Sequence, residues 1–252
     1  MNPTFYPMRL GTAVFALCAS LHSVGAVAES PWGGKIAVGA IAASGNSETS
    51  TFNFEFGLSY DKEVWHNALK ASAMQARSET EDDAGNIEKR TTSERYVVGM
   101  RSALDFTEND YLFLQLDFEK DLFGGVRERT AQTLGYGRRV INGESHKLDL
   151  ELGAGARQTL AQEDGARRES EVVGRAGLIY AWQISETSRF AQTLTTEYGD
   201  TNTYTESLSE LKLSVIGGVF ANLAFTVKHN SNVPADTEQT DTISSVSLSY
   251  EY

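Results

Sequence analysis

Apolar and polar residues alternate with a period of two along most of this chain. At one clear place Phe52, Phe54 and Phe56 alternate with Asn53 and Glu55. The same alternation recurs at 112–118, 148–154 and 211–215. Because successive side chains of a strand point to opposite faces, this pattern predicts strands that have one apolar face and one polar face.

About twelve segments of this kind follow one another, each bounded by turn-forming residues. The predicted strands are 35–43, 49–60, 64–78, 91–105, 110–121, 128–141, 146–160, 169–183, 188–199, 204–216, 221–231 and 241–252. Most are long enough for the roughly 9–11 tilted residues with which a strand crosses an outer membrane. No apolar run after the first 28 residues reaches the roughly 18 residues that a membrane-spanning helix needs.

The connections between these strands alternate in length. Every second one is tight, at 61–63, 107–110, 142–145, 185–187 and near 221–222, and the others include longer polar loops at 79–90, 161–168 and 232–240. Short turns at one rim and longer loops at the other are typical of bacterial outer-membrane barrels. We therefore expect an all-β, transmembrane, antiparallel up-and-down barrel of about twelve strands, with both termini at the periplasmic rim.

The last ten residues predict that this barrel is closed. Val246, Leu248, Tyr250 and Tyr252 share one face, and serines occupy most of the other. A chain that ends inside a strand of this kind must have the strand paired, because a free apolar edge promotes aggregation. The aromatic C-terminal strand is also the segment by which we expect the barrel-assembly machinery to recognise the protein.

Aromatic residues collect beside the predicted short turns. The candidates for an aromatic girdle at the membrane–water interface are Tyr60, Trp65, Phe106, Tyr111, Trp182, Phe220 and Tyr252, with Trp32 close by. Such rings favour the boundary between lipid and water. Burial in the core of a soluble periplasmic β-sandwich is the alternative, but it gives no reason for the rings to favour one set of turns.

The first 28 residues have the features of a secretory signal peptide. Arg9 is their only charged side chain, 10–21 form a short apolar core, and Ala26-Val-Ala28 fits the small-x-small cleavage rule. We therefore divide the chain into a leader at 1–28, cleaved after Ala28, and a barrel at 29–252. Export by this route predicts a location in the bacterial outer membrane, with its lipids as partners.

The charge balance and the cysteine content narrow the functional classes. The chain has 22 Lys and Arg against 34 Asp and Glu, a formal net charge of −12, which becomes −13 without Arg9. Such an excess of acid argues against a nucleic-acid partner. The one cysteine, Cys18, lies in the leader, so the mature chain has no disulfide or thiolate site. No cofactor motif or zinc-ligand spacing is present, and no cofactor or metal is expected.

If the apolar faces contact lipid, the opposite faces line a lumen. The lumen-lining candidates are Glu55, Lys70, Arg95, Arg101, Asp117, Glu119, Arg138, Asp149, Glu151, Arg157, Arg175, Glu197, Glu210, Lys212 and Lys228. An Arg or Lys placed against lipid at mid-membrane costs about 2–4 kcal/mol, so their inward placement follows from the barrel. Two interpretations remain open: a salt-bridge network that fills the interior, or a polar pore for ions or small solutes.

Two further candidate sites are weaker. His229 and Ser231 invite comparison with an outer-membrane phospholipase, but residues two apart on a strand are too distant for direct proton transfer, and no catalytic residue is predicted. The acids of the longer loops could bind divalent cations, although their spacing matches no calcium loop. These acids are Glu79, Glu81, Asp82, Asp83, Glu163, Asp164, Asp236 and Glu238.

Several short motifs follow one another in order along 33–252. They are Ser44-Gly-Asn-Ser47, Phe113-Leu-Gln115, Asp121-Leu-Phe123, Arg127, Leu134-Gly-Tyr-Gly137, Leu150-Glu-Leu-Gly153, Gly155, Asn230, Asn232, Pro234 and Asp241-Thr242, with the aromatic C-terminus. In this order they resemble the YdiY-like family, described as salt-induced outer-membrane proteins of unknown function. The resemblance implies an outer-membrane barrel and links it to salt or osmotic stress, but it implies no substrate or catalytic residue.

The leader yields the first testable prediction. Because the small residues of Ala26-Val-Ala28 suit the export peptidase, the protein purified from membranes should begin at Glu29. Replacing Ala28 by a bulky residue such as Phe should leave the unprocessed precursor. N-terminal sequencing and intact-mass measurement check both forms. A mature protein that retains residues 1–28 would contradict the prediction.

Overall fold

The computed structural model describes residues 30–44, 52–81, 87–124, 126–163, 165–233 and 237–252. The predicted leader at 1–28 therefore lies outside the described residues, as do parts of the longer loops. Within the described part of the chain there is no helix with the length and apolar character to cross a membrane.

The described residues form twelve strands, as predicted. They are β1 Trp32–Ser44, β2 Phe52–Lys62, β3 Trp65–Glu81, β4 Ile87–Asp105, β5 Asp110–Asp121, β6 Val126–Asn142, β7 His146–Ala161, β8 Glu169–Ser185, β9 Ser188–Gly199, β10 Thr203–Ile216, β11 Val219–Asn230 and β12 Thr240–Glu251. The largest difference from the prediction is at β3 and β4, which extend into the segment expected to be the loop 79–90.

The twelve strands form one closed antiparallel sheet in which each strand pairs with its sequence neighbours and β1 pairs with β12. The closing ladder runs from Lys35 opposite Glu251 to Ser44 opposite Thr242. At its end, the amide of Tyr252 donates to the carbonyl of Gly34 at 3.1 Å. The prediction of a closed barrel is confirmed, and the alternative fold, a sandwich of two packed sheets, is wrong, because every described strand belongs to the one closed sheet.

The two rims differ as expected. One rim holds the turns at 63–64, 106–109, 143–145, 186–187 and 217–218. The start of β1 and the end of β12 lie at the same rim. We call it the short-turn rim, and the opposite one the long-loop rim. The last turn lies earlier than the predicted 221–222, because Gly217 adopts a φ of 54°, a left-handed conformation that suits glycine. Asn222 instead lies in β11, buried, and donates to Ser249 Oγ at 2.9 Å.

The two faces of the sheet have opposite character. On the outer face Val172 is 77% exposed and Leu152 is 67% exposed, whereas on the inner face Arg157 is 1% exposed. This distribution is the reverse of a soluble protein, in which large apolar side chains are buried and charges are exposed. The sheet therefore places an apolar surface outside and a charged surface inside.

The aromatic candidates divide between these faces. Tyr60, Trp65, Phe106, Trp182 and Tyr252 lie near the short-turn rim outside the lumen.

Tyr111 and Phe220 do not join them, which corrects the prediction for both. Tyr111 is 3% exposed and points inward, where its hydroxyl donates to Glu151 at 2.8 Å. Phe220 shares the inner face of β11 with Asn222, and the ammonium of Lys212 lies 4.3 Å from its ring centroid. Both rings have polar neighbours inside the barrel. Their position beside a turn therefore did not determine which face of the sheet they occupy.

Close packing between neighbouring strands gives the second prediction. A Cβ at Gly155 would overlap the carbonyl oxygen of Gln132 on β6, whereas a Cβ at Gly174 would meet open space. Gly155→Ala should therefore lower the free energy of unfolding by about 1–3 kcal/mol, the usual cost of overpacking.

Urea unfolding in lipid vesicles measures this difference, with Gly174→Ala as the matched control. The control should unfold close to the wild-type midpoint. Equal midpoints for the two variants would show that β6 and β7 relax without cost.

Candidate functional site

The charged lumen is the candidate site, and the structure places all but one of its predicted residues on the inner face. The exception is Arg138, whose side chain is 59% exposed on the outer face and lies 3.2 Å from Asp110. On β6 the inner positions are odd-numbered, as shown by buried Ala131 and Thr133. Arg138 therefore has the same orientation as Leu134, and its place near the strand end lets its charge reach the rim rather than remain in lipid.

Two ion pairs near the termini are accessible to water. Lys35 Nζ lies 3.2 Å from Glu55 Oε2, and these side chains are 29% and 34% exposed. Lys212 pairs with Glu251, and both side chains are also about a quarter to a third exposed. This part of the lumen is therefore lined with charge but is not tightly packed.

Four predicted lumen residues form no ion pair with any residue that the structure describes. Asp117 and Asp149 accept hydrogen bonds from Gln115 and Tyr111, whereas Lys70 and Glu210 have no side-chain hydrogen bond among the described residues either. Lys70 is exposed although it faces inward, between Gly57 on β2 and Gly99 on β4. Glu210 is half-buried between Ala191 and Ala224. Because an unpaired charge needs hydration, these two positions indicate water inside the barrel.

Between β4 and β7 the lumen is filled by packed side chains. Arg101 Nη2 donates to Glu151 Oε1 at 2.5 Å, and its guanidinium lies 4.6 Å from the ring centroid of Phe113. Tyr111 and Phe113 are both buried within the barrel. Asp149 lies beside them and accepts a hydrogen bond from Tyr111 at 3.1 Å. Here aromatic rings and an ion pair together occupy part of the lumen.

A second packed group lies on the wall formed by β7, β8 and β9. Arg157 donates to Glu171 Oε1 at 2.6 Å and to Glu197 Oε2 at 3.4 Å. Arg175 donates to the other oxygen of Glu197 at 3.1 Å. Every charged group in this set is nearly buried, so each depends on its partners to offset the loss of hydration.

A third group contains a bridge across the lumen, which we call the Glu119 layer: Glu119, Arg95, Arg129, Lys228 and Glu206. Glu119 Oε1 accepts from Arg95 at 2.5 Å and from Lys228 at 3.0 Å, and Oε2 accepts from Arg129 at 2.9 Å. Lys228 Nζ also lies 3.4 Å from Glu206 Oε2. Glu119 is on β5 and Lys228 on β11, six strands apart in a ring of twelve. The contact therefore joins opposite walls.

This bridge constrains the cross-section of the barrel. Twelve strands about 4.7–4.9 Å apart and tilted by about 35–45° give a circular barrel roughly 24 Å across. A lysine and a glutamate in contact span roughly 14 Å between their Cα atoms, given standard bond lengths. The walls at β5 and β11 must therefore approach more closely at this level than a circle would allow.

Some lumen residues were missed from the sequence although their signal was present. They are Lys35, Arg129, Arg139, Tyr204 and Glu206. Arg139, for example, faces inward and lies 2.9 Å from Asp105. Strict counting by two from an inward residue of the same strand finds Arg129 and Arg139 and rejects Arg138.

The geometry does not assemble the hydrolase site considered above. His229 Nδ1 lies 3.0 Å from Thr240 Oγ1 on the neighbouring strand. Ser231 accepts from the amide of Thr203 at 2.8 Å and donates to Asn202 at 3.2 Å. Each side chain thus bonds to a different neighbour, and no observation favours a nucleophile and base here.

The candidate cation sites in the loops are also without support. Among the described residues no group of His, Cys, Asp and Glu is arranged to hold a metal ion. Asp82, Asp83, Asp164 and Asp236 lie outside the described residues.

Comparison with known proteins agrees with the motif order. The family model "Protein of unknown function, DUF481" matches residues 36–252. The uncharacterized protein YdiY of Escherichia coli strain K12 is 31% identical over 231 residues, which cover 89% of this chain and 85% of that protein. This chain belongs to the DUF481 family. The predicted YdiY-like relationship is confirmed.

Two solved structures have a similar fold. The NanC porin has a TM-score of 0.54 at 9% identity, covering 86% of this chain and 98% of that one. The translocator domain of the autotransporter NalP from Neisseria meningitidis has a TM-score of 0.52 at 10% identity, with 88% and 89% covered. At such low identity the likeness concerns the fold alone. This DUF481 protein therefore has the fold of outer-membrane barrels, which confirms the predicted all-β antiparallel barrel of about twelve strands.

The buried Arg157 group gives the third prediction. Arg157→Met would leave Glu171 and Glu197 without their shared cation, and breaking a buried pair in this way costs about 3–5 kcal/mol. The urea midpoint in lipid vesicles should fall accordingly.

Lys35→Met is the control for that measurement, since the Lys35–Glu55 pair is about a third exposed. Partly exposed pairs contribute about 0–1 kcal/mol, so the control should change little. If both variants unfold alike, burial of the ion pair does not determine its contribution.

Proposed function

We propose that this protein is an outer-membrane barrel that acts as a narrow channel for ions or small polar solutes. Its fold and apolar outer face support the location, because only a closed sheet or a helix satisfies the backbone in lipid. The charged inner face supports the transport role. The proposed partners are the membrane lipids and, transiently, the barrel-assembly machinery.

The orientation we propose places the short-turn rim and both termini in the periplasm. The first strand starts and the last strand ends at that rim, which agrees with delivery of the chain from the inner-membrane side after cleavage at Ala28. Tyr60, Trp65, Phe106, Trp182 and Tyr252 would then form the periplasmic part of an aromatic girdle. The longer connections would face the outside.

One observation supports conduction above all: charge inside the barrel that has no ion-pair partner among the described residues. Lys70 faces inward and is exposed, and Glu210 faces inward without an ion pair among the described residues. A barrel filled only for stability would pair such groups or replace them, because an isolated buried charge is costly. Hydrated charge of both signs is what a path for ions or polar solutes requires.

A second role has an observation of its own. The Glu119–Lys228 bridge joins opposite walls, and side chains fill the region between β4 and β7. These features suit a barrel that reinforces the envelope, and the family resemblance links such a protein to salt or osmotic stress. In that case the lumen charges act as structural cross-links.

The fourth prediction distinguishes the channel from the envelope role and is tested by planar-bilayer recording. The protein, refolded and inserted into a lipid bilayer, should give small discrete conductance steps in KCl, smaller than those of wide porins, because the lumen is bridged. Folding is checked separately by heat-dependent gel mobility and circular dichroism. A folded, inserted barrel that shows no steps at any voltage or salt concentration would reject the channel and leave the envelope role.

A further inference from the structure

One carboxylate holds three cations in the Glu119 layer. Both oxygens of Glu119 are occupied, one by Arg95 and Lys228 and the other by Arg129. The carboxylate is 15% exposed, and the Lys228 side chain is 9% exposed. No other carboxylate among the described residues takes ion pairs from three basic side chains.

A second contact crosses the lumen at the same level. The guanidinium carbon of Arg129 on β6 lies 3.6 Å from the ring centroid of Tyr204 on β10. Tyr204 is 5% exposed, and its hydroxyl donates to Glu206. The lumen is therefore crossed by an ion pair and by a cation–π contact, and both involve groups that Glu119 holds in place.

We propose that Glu119 sets the charge selectivity and the resting conductance of this lumen. This inference rests on the proposed channel function and names the residue that controls it. An ion that passes between the rims must cross the Glu119 layer, where low water content makes each fixed charge act strongly on it. Charges in exposed turns act through water and salt and are screened.

The hydrogen bonds of the Glu119 layer indicate whether loss of the Glu119 charge would favour anions or cations. The Nε of Arg95 and the Nη1 of Arg129 are buried and have no hydrogen-bond partner among the described residues. The layer thus has more donors than acceptors, and Glu119 is the main group that offsets its positive charge. Without the Glu119 charge, the three cations of the layer are left with Glu206 as their ion-pair partner and with the acids Asp121 and Glu197 close by, so the layer becomes more positive and should attract anions more strongly.

The fifth prediction concerns ion selectivity, which is measured as the reversal potential across a KCl gradient in planar bilayers. Glu119→Gln should shift the chloride-to-potassium permeability ratio towards chloride, by roughly three- to tenfold for one unit charge at close range. Lys228→Gln should shift it towards potassium. Both substitutions remove the bridge and should raise the single-channel conductance.

Two further variants separate charge from structure. Glu119→Asp retains the charge but shortens the side chain, so it should raise the conductance while keeping the wild-type ion preference. Glu186→Gln removes the same charge from an exposed turn at 186–187 and should match the wild type in both properties. If Glu119→Gln does not fold, Lys228→Gln and Glu119→Asp still test the proposal.

The outcomes distinguish this inference from the channel function. If the wild type conducts and Glu119→Gln and Lys228→Gln keep its permeability ratio and conductance, the inference is overturned and the channel stands. If only the Glu119 or Lys228 variants conduct, the bridge closes the native lumen: the channel function fails for the wild type, whereas the control of conductance by Glu119 is supported. If the wild type and all variants are folded and silent, the channel function and the inference both fail.

Discussion

Closure of the backbone hydrogen-bond ladder is the constraint on which the rest of this structure depends. Each peptide group has a donor and an acceptor, and lipid offers neither, so a sheet in a membrane must have no free edge. Pairing of β1 with β12 removes the last free edge of the sheet, because it joins the first strand to the last. Because the sheet is then a ring, every residue in it faces either the lumen or the surroundings.

That division explains where the charge of this chain lies. The outer face must be apolar, so ionisable residues in the strands collect inside, where they meet in the confined space of a twelve-stranded ring. Some are packed and paired, such as Arg157 with Glu171, while others, such as Lys70, are exposed. A ring of this size lies between small filled barrels and open porins, so its side chains decide whether a path remains.

The family and the fold therefore carry different information. Membership of the DUF481 family assigns the chain to its relatives, and likeness to the NanC porin concerns its barrel fold. One fold supports many functions, and the chemistry of the lumen distinguishes them. In this chain the distinguishing features are a charged region with exposed side chains and one section where opposite walls are joined. The two proposed roles, conduction and reinforcement, correspond to these two features.

The sequence by itself determined the number of strands, their apolar face and the closed sheet, because each is encoded in the local period of two and the aromatic end. The prediction from sequence was less reliable near strand ends, where it assigned Arg138, Tyr111 and Phe220 to the wrong face of the sheet. Near a rim, either face can hold a polar or an aromatic side chain. Only the tertiary structure brought Glu119 to Lys228, which are 109 residues apart. Their contact depends on ring closure and on the approach of opposite walls, which no local pattern encodes.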